Sequence, residues 1–138
     1  MRGTNVDSVD TAEVDQPIVV QFVNKILADA IHRGATAIRF RVASEPLPHL
    51  DPGENPPVDV HYHIDGDYVI VDAIRRQFYP AIANRLRVMA GLDYWKMEKR
   101  QAGQIRLTID GVPVVMSVSF ERVDNDDEIV IGIARSPV

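Results

Sequence analysis

Residues 85–111 read R-L-R-V-M-A-G-L-D-Y-W-K-M-E-K-R-Q-A-G-Q-I-R-L-T-I-D-G, running from a helix end through a basic loop into a strand and its turn. Leu86, Val88 and Met89 continue an apolar helical face that starts near Pro80, and Gly91 can adopt the left-handed conformation that closes a helix. Ile105, Leu107 and Ile109 then alternate with polar residues, as a half-buried strand does. Asp110-Gly111 supplies the two positive φ angles of a tight hairpin turn.

Downstream, the return strand carries Val112, Val114, Met116, Val118 and Phe120 on one face. An acidic turn, D-N-D-D-E at 124–128, leads into I-V-I-G-I-A, which is apolar on both faces and so predicts a central or covered strand. Upstream, Asp15 and Pro17 suit a helix start, and Ile18, Val19, Phe22, Val23, Ile26, Leu27, Ala30 and Ile31 recur at helical spacing up to a Gly34 cap. Residues 35–42 alternate, with Ile38, Phe40 and Val42 opposite Arg39 and Arg41. A stretch at 44–57 holds five of the nine prolines; lacking ladder donors, it belongs outside any sheet. Val58, Val60, Tyr62 and Ile64 then alternate with Asp59, His61 and His63 before Asp65-Gly66, a second hairpin signal, with a return strand over 68–71. The expected class is α+β: a mostly antiparallel sheet of about six strands with two main helices packed on one face. Residues 1–15, polar and acidic, are expected to form a flexible arm, and 16–138 a single domain.

The chain has 138 residues, no cysteine, and no apolar run near the roughly 20 residues of a membrane span, so a cytoplasmic protein is expected. The net charge of −5 is uneven. Residues 75–106 hold eight Lys/Arg (Arg75, Arg76, Arg85, Arg87, Lys96, Lys99, Arg100, Arg106) against Asp93 and Glu98, leaving that segment at +6 and the remainder at −11. Such a distribution predicts an anion-facing surface, or else a solvated helix face and loop.

No Gly-x-x-x-x-Gly-Lys-Ser/Thr phosphate loop exists, since Lys25, Lys96 and Lys99 never precede Ser or Thr. His61 and His63 share a strand face near Asp59 and Asp65, but spacing specifies no third zinc ligand, so surface histidines are the preferred reading and no metal is assigned. Asp124, Asp126 and Glu128 lack the glycine and closing glutamate of a calcium loop. No Gly-x-Ser-x-Gly elbow is present. Trp95 and Tyr94 in the basic loop suit packing on the second helix, or anchoring a partner or a base.

The motifs P-I-V-x-x-x-N-x-I-L-x-x-A-I-x-R-G-A-T, V-x-Y-x-I-D-G, R-L-R-V-M-A-G-L-D and G-Q-I-R-L-T-I-D-G, in this order from Pro17 to Ala134, resemble the second N-terminal domain of type II secretion and type IV pilus assembly ATPases. The resemblance implies a PAS-like fold that packs against a RecA-like motor in a hexamer, with basic residues approaching the nucleotide. Arg85 and Arg87 match the family. His61 and His63 stand where it carries arginines, Gln104 replaces another arginine, and Arg39 and Arg41 lie within a segment that usually reads A-S-D-I-H-I-E-P. Exchanging forked guanidiniums for imidazoles and an amide weakens phosphate recognition at neutral pH.

The resulting expectation is a non-catalytic, stand-alone interaction or regulatory module. Its partners would be a secretion or pilus ATPase, other machinery proteins or a second copy, with no cofactor, nucleic acid or membrane insertion. Arg85, Arg87, Lys96, Lys99, Arg100 and Arg106 are the expected contact residues, and His61, His63 and Gln104 the nucleotide-facing remnants. The alternatives are nucleotide binding without hydrolysis through the 85–106 patch and, as an outsider, a zinc-dependent enzyme.

Overall fold

A computed structural model describes residues 16–96 and 98–134. The first helix, α1 (Pro17–His32), starts where proline's missing N–H costs nothing and buries Val19, Val23, Ile26, Leu27 and Ala30. Its cap position is Gln16, without a side-chain cap bond. The expected cap, Asp15, lies outside the described residues, as does the expected arm at 1–15. At the other end Gly34 takes φ +77, which lets the Ala35 amide reach back to the Ala30 carbonyl at 2.9 Å.

Strand β1 (Ala37–Val42) follows, then the proline-rich stretch, which holds only a short 3-10 turn at Pro52–Glu54. Asn55 ties that stretch together: its side chain accepts from the Leu47 amide and donates to the Leu47 and Leu50 carbonyls. Strands β2 (Val58–Ile64) and β3 (Asp67–Ile74) form the first Asp-Gly hairpin, with β3 running three residues further than its apolar stretch predicted. A 3-10 turn leads into α2 (Tyr79–Met89), which ends at Gly91 with φ +71 and a bond from the Leu92 amide to the Arg87 carbonyl.

Strand β4 (Arg100–Ile109) begins five residues before the predicted Ile105, so residues 100–104 of the expected basic loop are strand. Its charged and amide side chains mask the alternation, yet Gln101 is buried. Strands β5 (Val112–Val123) and β6 (Asp126–Ala134) complete the sheet. Asp124 and Asn125 alone make the turn between them, both at positive φ, and Asp126, Asp127 and Glu128 already belong to β6.

The strand order is β3-β2-β1-β6-β5-β4, with every neighbouring pair antiparallel. Two three-stranded meanders therefore meet at β1 and β6, and α2 crosses from one edge to the other. Both helices cover the same face of the sheet. Tyr62 reaches from β2 to α1, its hydroxyl 3.1 Å from the Ile26 carbonyl and 2.9 Å from the Asp29 carboxylate. Tyr79 on α2 stacks on Phe40 of β1 and donates to the Asp127 carbonyl. The core under the helices comprises Ile38, Phe40, Val58, Val60, Ile105, Met116, Val118, Phe120, Ile129 and Ile131. As expected for β6, it is a central strand.

Candidate functional site: the open sheet face and the basic segment

With both helices on one side, the opposite face of the sheet carries the residues that alternate with the core. On β1 these are Ala37, Arg39 and Arg41, aligned with His63, His61 and Asp59 of β2. His63 and His61 align in turn with Tyr68 and Ile70 of β3. The Arg39 guanidinium lies over the Tyr68 ring at 4.0 Å, and the His63 and His61 rings meet Tyr68 edge-on at 4.8 and 6.2 Å. His63 Nδ1 is 2.8 Å from the Thr36 hydroxyl.

His61 is 9% exposed, and neither its Nδ1 nor Arg39 Nε has a hydrogen-bond partner among the described residues. Burial, and then the Arg39 charge, hold the His61 imidazole below the ordinary histidine value. Arg41 is neutralised by Glu128 at 3.0 Å, whereas Arg39 meets no carboxylate among the described residues. The cluster is an aromatic platform with one uncompensated guanidinium. Its chemistry suits a small anion.

The expected site residues do not converge. Gln104, Arg106 and Arg100 sit on the open face of β4, at the opposite edge from β3. Four strand spacings, about 19 Å, separate β4 from His61 and His63 on β2. Arg106 donates to Gln104 at 3.0 Å, and Arg100 pairs with Glu121 at 2.9 Å. Lys96 pairs with Asp93 at 3.2 Å, and Lys99 is exposed. Arg85 is half-buried on α2.

Arg87 is no contact residue. It is 4% exposed, grips the Asp127 carboxylate through two nitrogens at 2.6 and 3.0 Å, donates to Gln101 at 2.6 Å and lies over the Phe120 ring. A buried cation needs this degree of compensation, because removing it from water costs several kcal/mol. Acids elsewhere in sequence likewise meet Arg75 (Glu54) and Arg76 (Asp126). The +6 segment is thus largely cancelled on folding. Nothing in the local sequence pairs Arg87 with a carboxylate 40 positions away.

A cleft of about 450 Å³ lies between Arg41, Arg76 and the β5–β6 turn, lined by acids that are mostly ion-paired. An apolar groove of about 220 Å³ lies at the start of both helices. Among the described residues no group of three or more His, Cys, Asp or Glu gathers to hold a metal, and no helix is long and apolar enough to cross a membrane.

The chain is 33% identical over 116 residues to the type IV pilus assembly ATPase PilB of Pseudomonas aeruginosa, a match covering 79% of this chain and 19% of that protein. It is 29% identical over 127 residues to the type II secretion system protein HxcR of the same organism, covering 92% and 24%. PilB of Myxococcus xanthus is 34% identical over 107 residues, covering 78% and 17%. The chain thus spans about a fifth of the length of these curated relatives. Among solved structures, the pilus retraction motor PilT with bound ADP shares the fold, at a TM-score of 0.51 and 14% identity over 83% of this chain and 29% of that one. No family model matches the chain.

Proposed function

From a chain that is a relative of the type IV pilus assembly and type II secretion ATPases, matched to their N-terminal region, we propose a non-catalytic interaction module of a secretion or pilus machine. The homology carries this reading. Exposed Lys99, together with Lys96, Arg100 and Arg106, would meet the partner; Arg87 would hold the fold beneath them. The test is capture from the native cell with the tagged chain, followed by mass spectrometry. Recovery of a secretion or pilus ATPase, reduced by Lys96→Glu/Lys99→Glu, is the expected result. Capture of none of that machinery overturns the proposal.

A second reading rests on the open face. Arg39, uncompensated beside His61 and His63, would bind the phosphates of a nucleotide without hydrolysing it. Calorimetry with ADP and ATP is expected to give saturable heat that Arg39→Ala abolishes. Flat traces with the unmodified chain remove this reading.

A further inference from the structure

The apolar groove opens where both helices begin: Ile18 and Phe22 of α1, Ile74 of β3, Phe78, and Ile82 of α2 line it. Ile18 is 73% and Phe78 51% exposed, so apolar surface faces water there among the described residues. The volume of about 220 Å³ lies below the range of drug-sized ligand sites and suits a pair of aliphatic side chains. Arg75 is the one charge in the lining. Glu54 accepts from its Nε at 3.0 Å, yet the side chain stays 62% exposed and the guanidinium fork has further N–H donors. Neither helix carries an acid in its first turn, so two positive helix ends add to the Arg75 charge. The groove therefore asks for small apolar side chains with carboxylates beside them.

The sequence holds such a segment next to the groove. Residues 1–15 lead directly into α1, whose second residue, Ile18, lines it. They carry four acids (Asp7, Asp10, Glu13, Asp15) against Arg2, and Val6 and Val9 are each followed by an aspartate. Val9 is seven residues from Gln16, about 25 Å of extended chain, which is enough to turn back onto the helix start. We propose that Val6 and Val9 of the chain's own N-terminal segment seat in this groove, with Asp7 and Asp10 facing Arg75 and the two helix ends. Tethering favours this occupant over a separate molecule. A small groove with one charged side chain supports only a weak contact, and a short tether supplies an effective concentration of about a millimolar. Another protein that uses the groove has to displace the segment first. This inference is independent of docking to a secretion or pilus machine, and either can fail alone.

The test uses the intact chain, which has no cysteine, so Thr4→Cys gives a single site for a nitroxide spin label. Isoleucine methyl spectra then report where the label dwells. Strong relaxation enhancement is expected at Ile18, Ile74 and Ile82, and little at Ile109, which neighbours the far end of α1 through the His32–Asp110 pair. Tenfold dilution should leave that pattern unchanged. Val6→Asp/Val9→Asp in the labelled chain should lower the docked-to-free ratio by ~10-fold or more, because burying even one valine contributes that much. Arg75→Gln should lower it by a smaller factor. Amide spectra of the variants, unchanged away from the groove, will confirm that they fold. Enhancement that is spread evenly, survives Val6→Asp/Val9→Asp or ignores Arg75→Gln overturns the inference. So does a pattern that fades on dilution, or one that appears on an isotope-labelled, cysteine-free chain mixed with the spin-labelled one, since the contact then lies between copies.

Discussion

The Arg87–Asp127 pair excludes water from both charges, at 4% and 10% side-chain exposure. Truncating one partner strands the other. Arg87→Met is expected to cost about 3–5 kcal/mol in urea unfolding, and Arg87→Met/Asp127→Leu considerably less, because no lone charge then remains inside. Equal losses in the two variants would show that packing on Phe120, not charge compensation, sets the cost. His61 yields a prediction in pH. Its folded-state value is lowered by burial and by Arg39, with Asp59 opposing and Arg41 adding to the effect. Above about pH 6.5 the imidazole is neutral in both states; below it the unfolded chain takes up the proton first, so stability falls until the folded site also protonates. His61→Gln should therefore lose less stability than the parent as the pH falls below about 6.5. Identical slopes would refute the assignment. Arg87 and Arg100 look alike in a charge count. Their different fates depend on acids in β5 and β6, which explains why the sequence exposed the cations but not their availability.

Among the elements, those with local signals were legible. The Asp-Gly turns, the apolar stripe of α1 and the glycine ends of both helices follow from residues a few positions apart. The start of β4 was not, because Arg100, Gln101 and Gln104 do not alternate in hydropathy although they alternate in space. Gly91 tests the local account. Nothing lies within 4 Å of a Cβ placed there, so the cost of Gly91→Ala is conformational alone, about 1–2 kcal/mol for a left-handed alanine. A chemical-denaturation midpoint shift with an unchanged slope is the expected readout. The edge strands also fit their positions: Asp67 and Asp72 on β3, and Arg100 and Arg106 on β4, discourage the pairing of exposed edges.

For the whole molecule, the class and the strand number could be expected from patterning, and the placement of both helices on one face from the PAS-like fold that the family resemblance implies. The pairing of β1 with β6 could not, since it joins segments about 90 residues apart with no local mark. The open-face cluster was half legible: alternation put Arg39 opposite Ile38 and Phe40, but its seat on Tyr68 depends on strand order. Because one core runs beneath both meanders, the chain is expected to unfold in a single step, with coincident far-ultraviolet and tyrosine near-ultraviolet transitions. Separated midpoints would mean that the meanders melt independently.

That seam has a consequence for synthesis. A ribosome delivers β6 after all five other strands, yet its place is in the middle, between β1 and β5. Until Ile129 to Gly132 emerge, a nascent chain holds two half-sheets with bare flanks on the sides meant to join. The vectorial order of translation thus postpones closure of this sheet to its sixth strand, and any partner or chaperone that shields those flanks does so before the sheet exists.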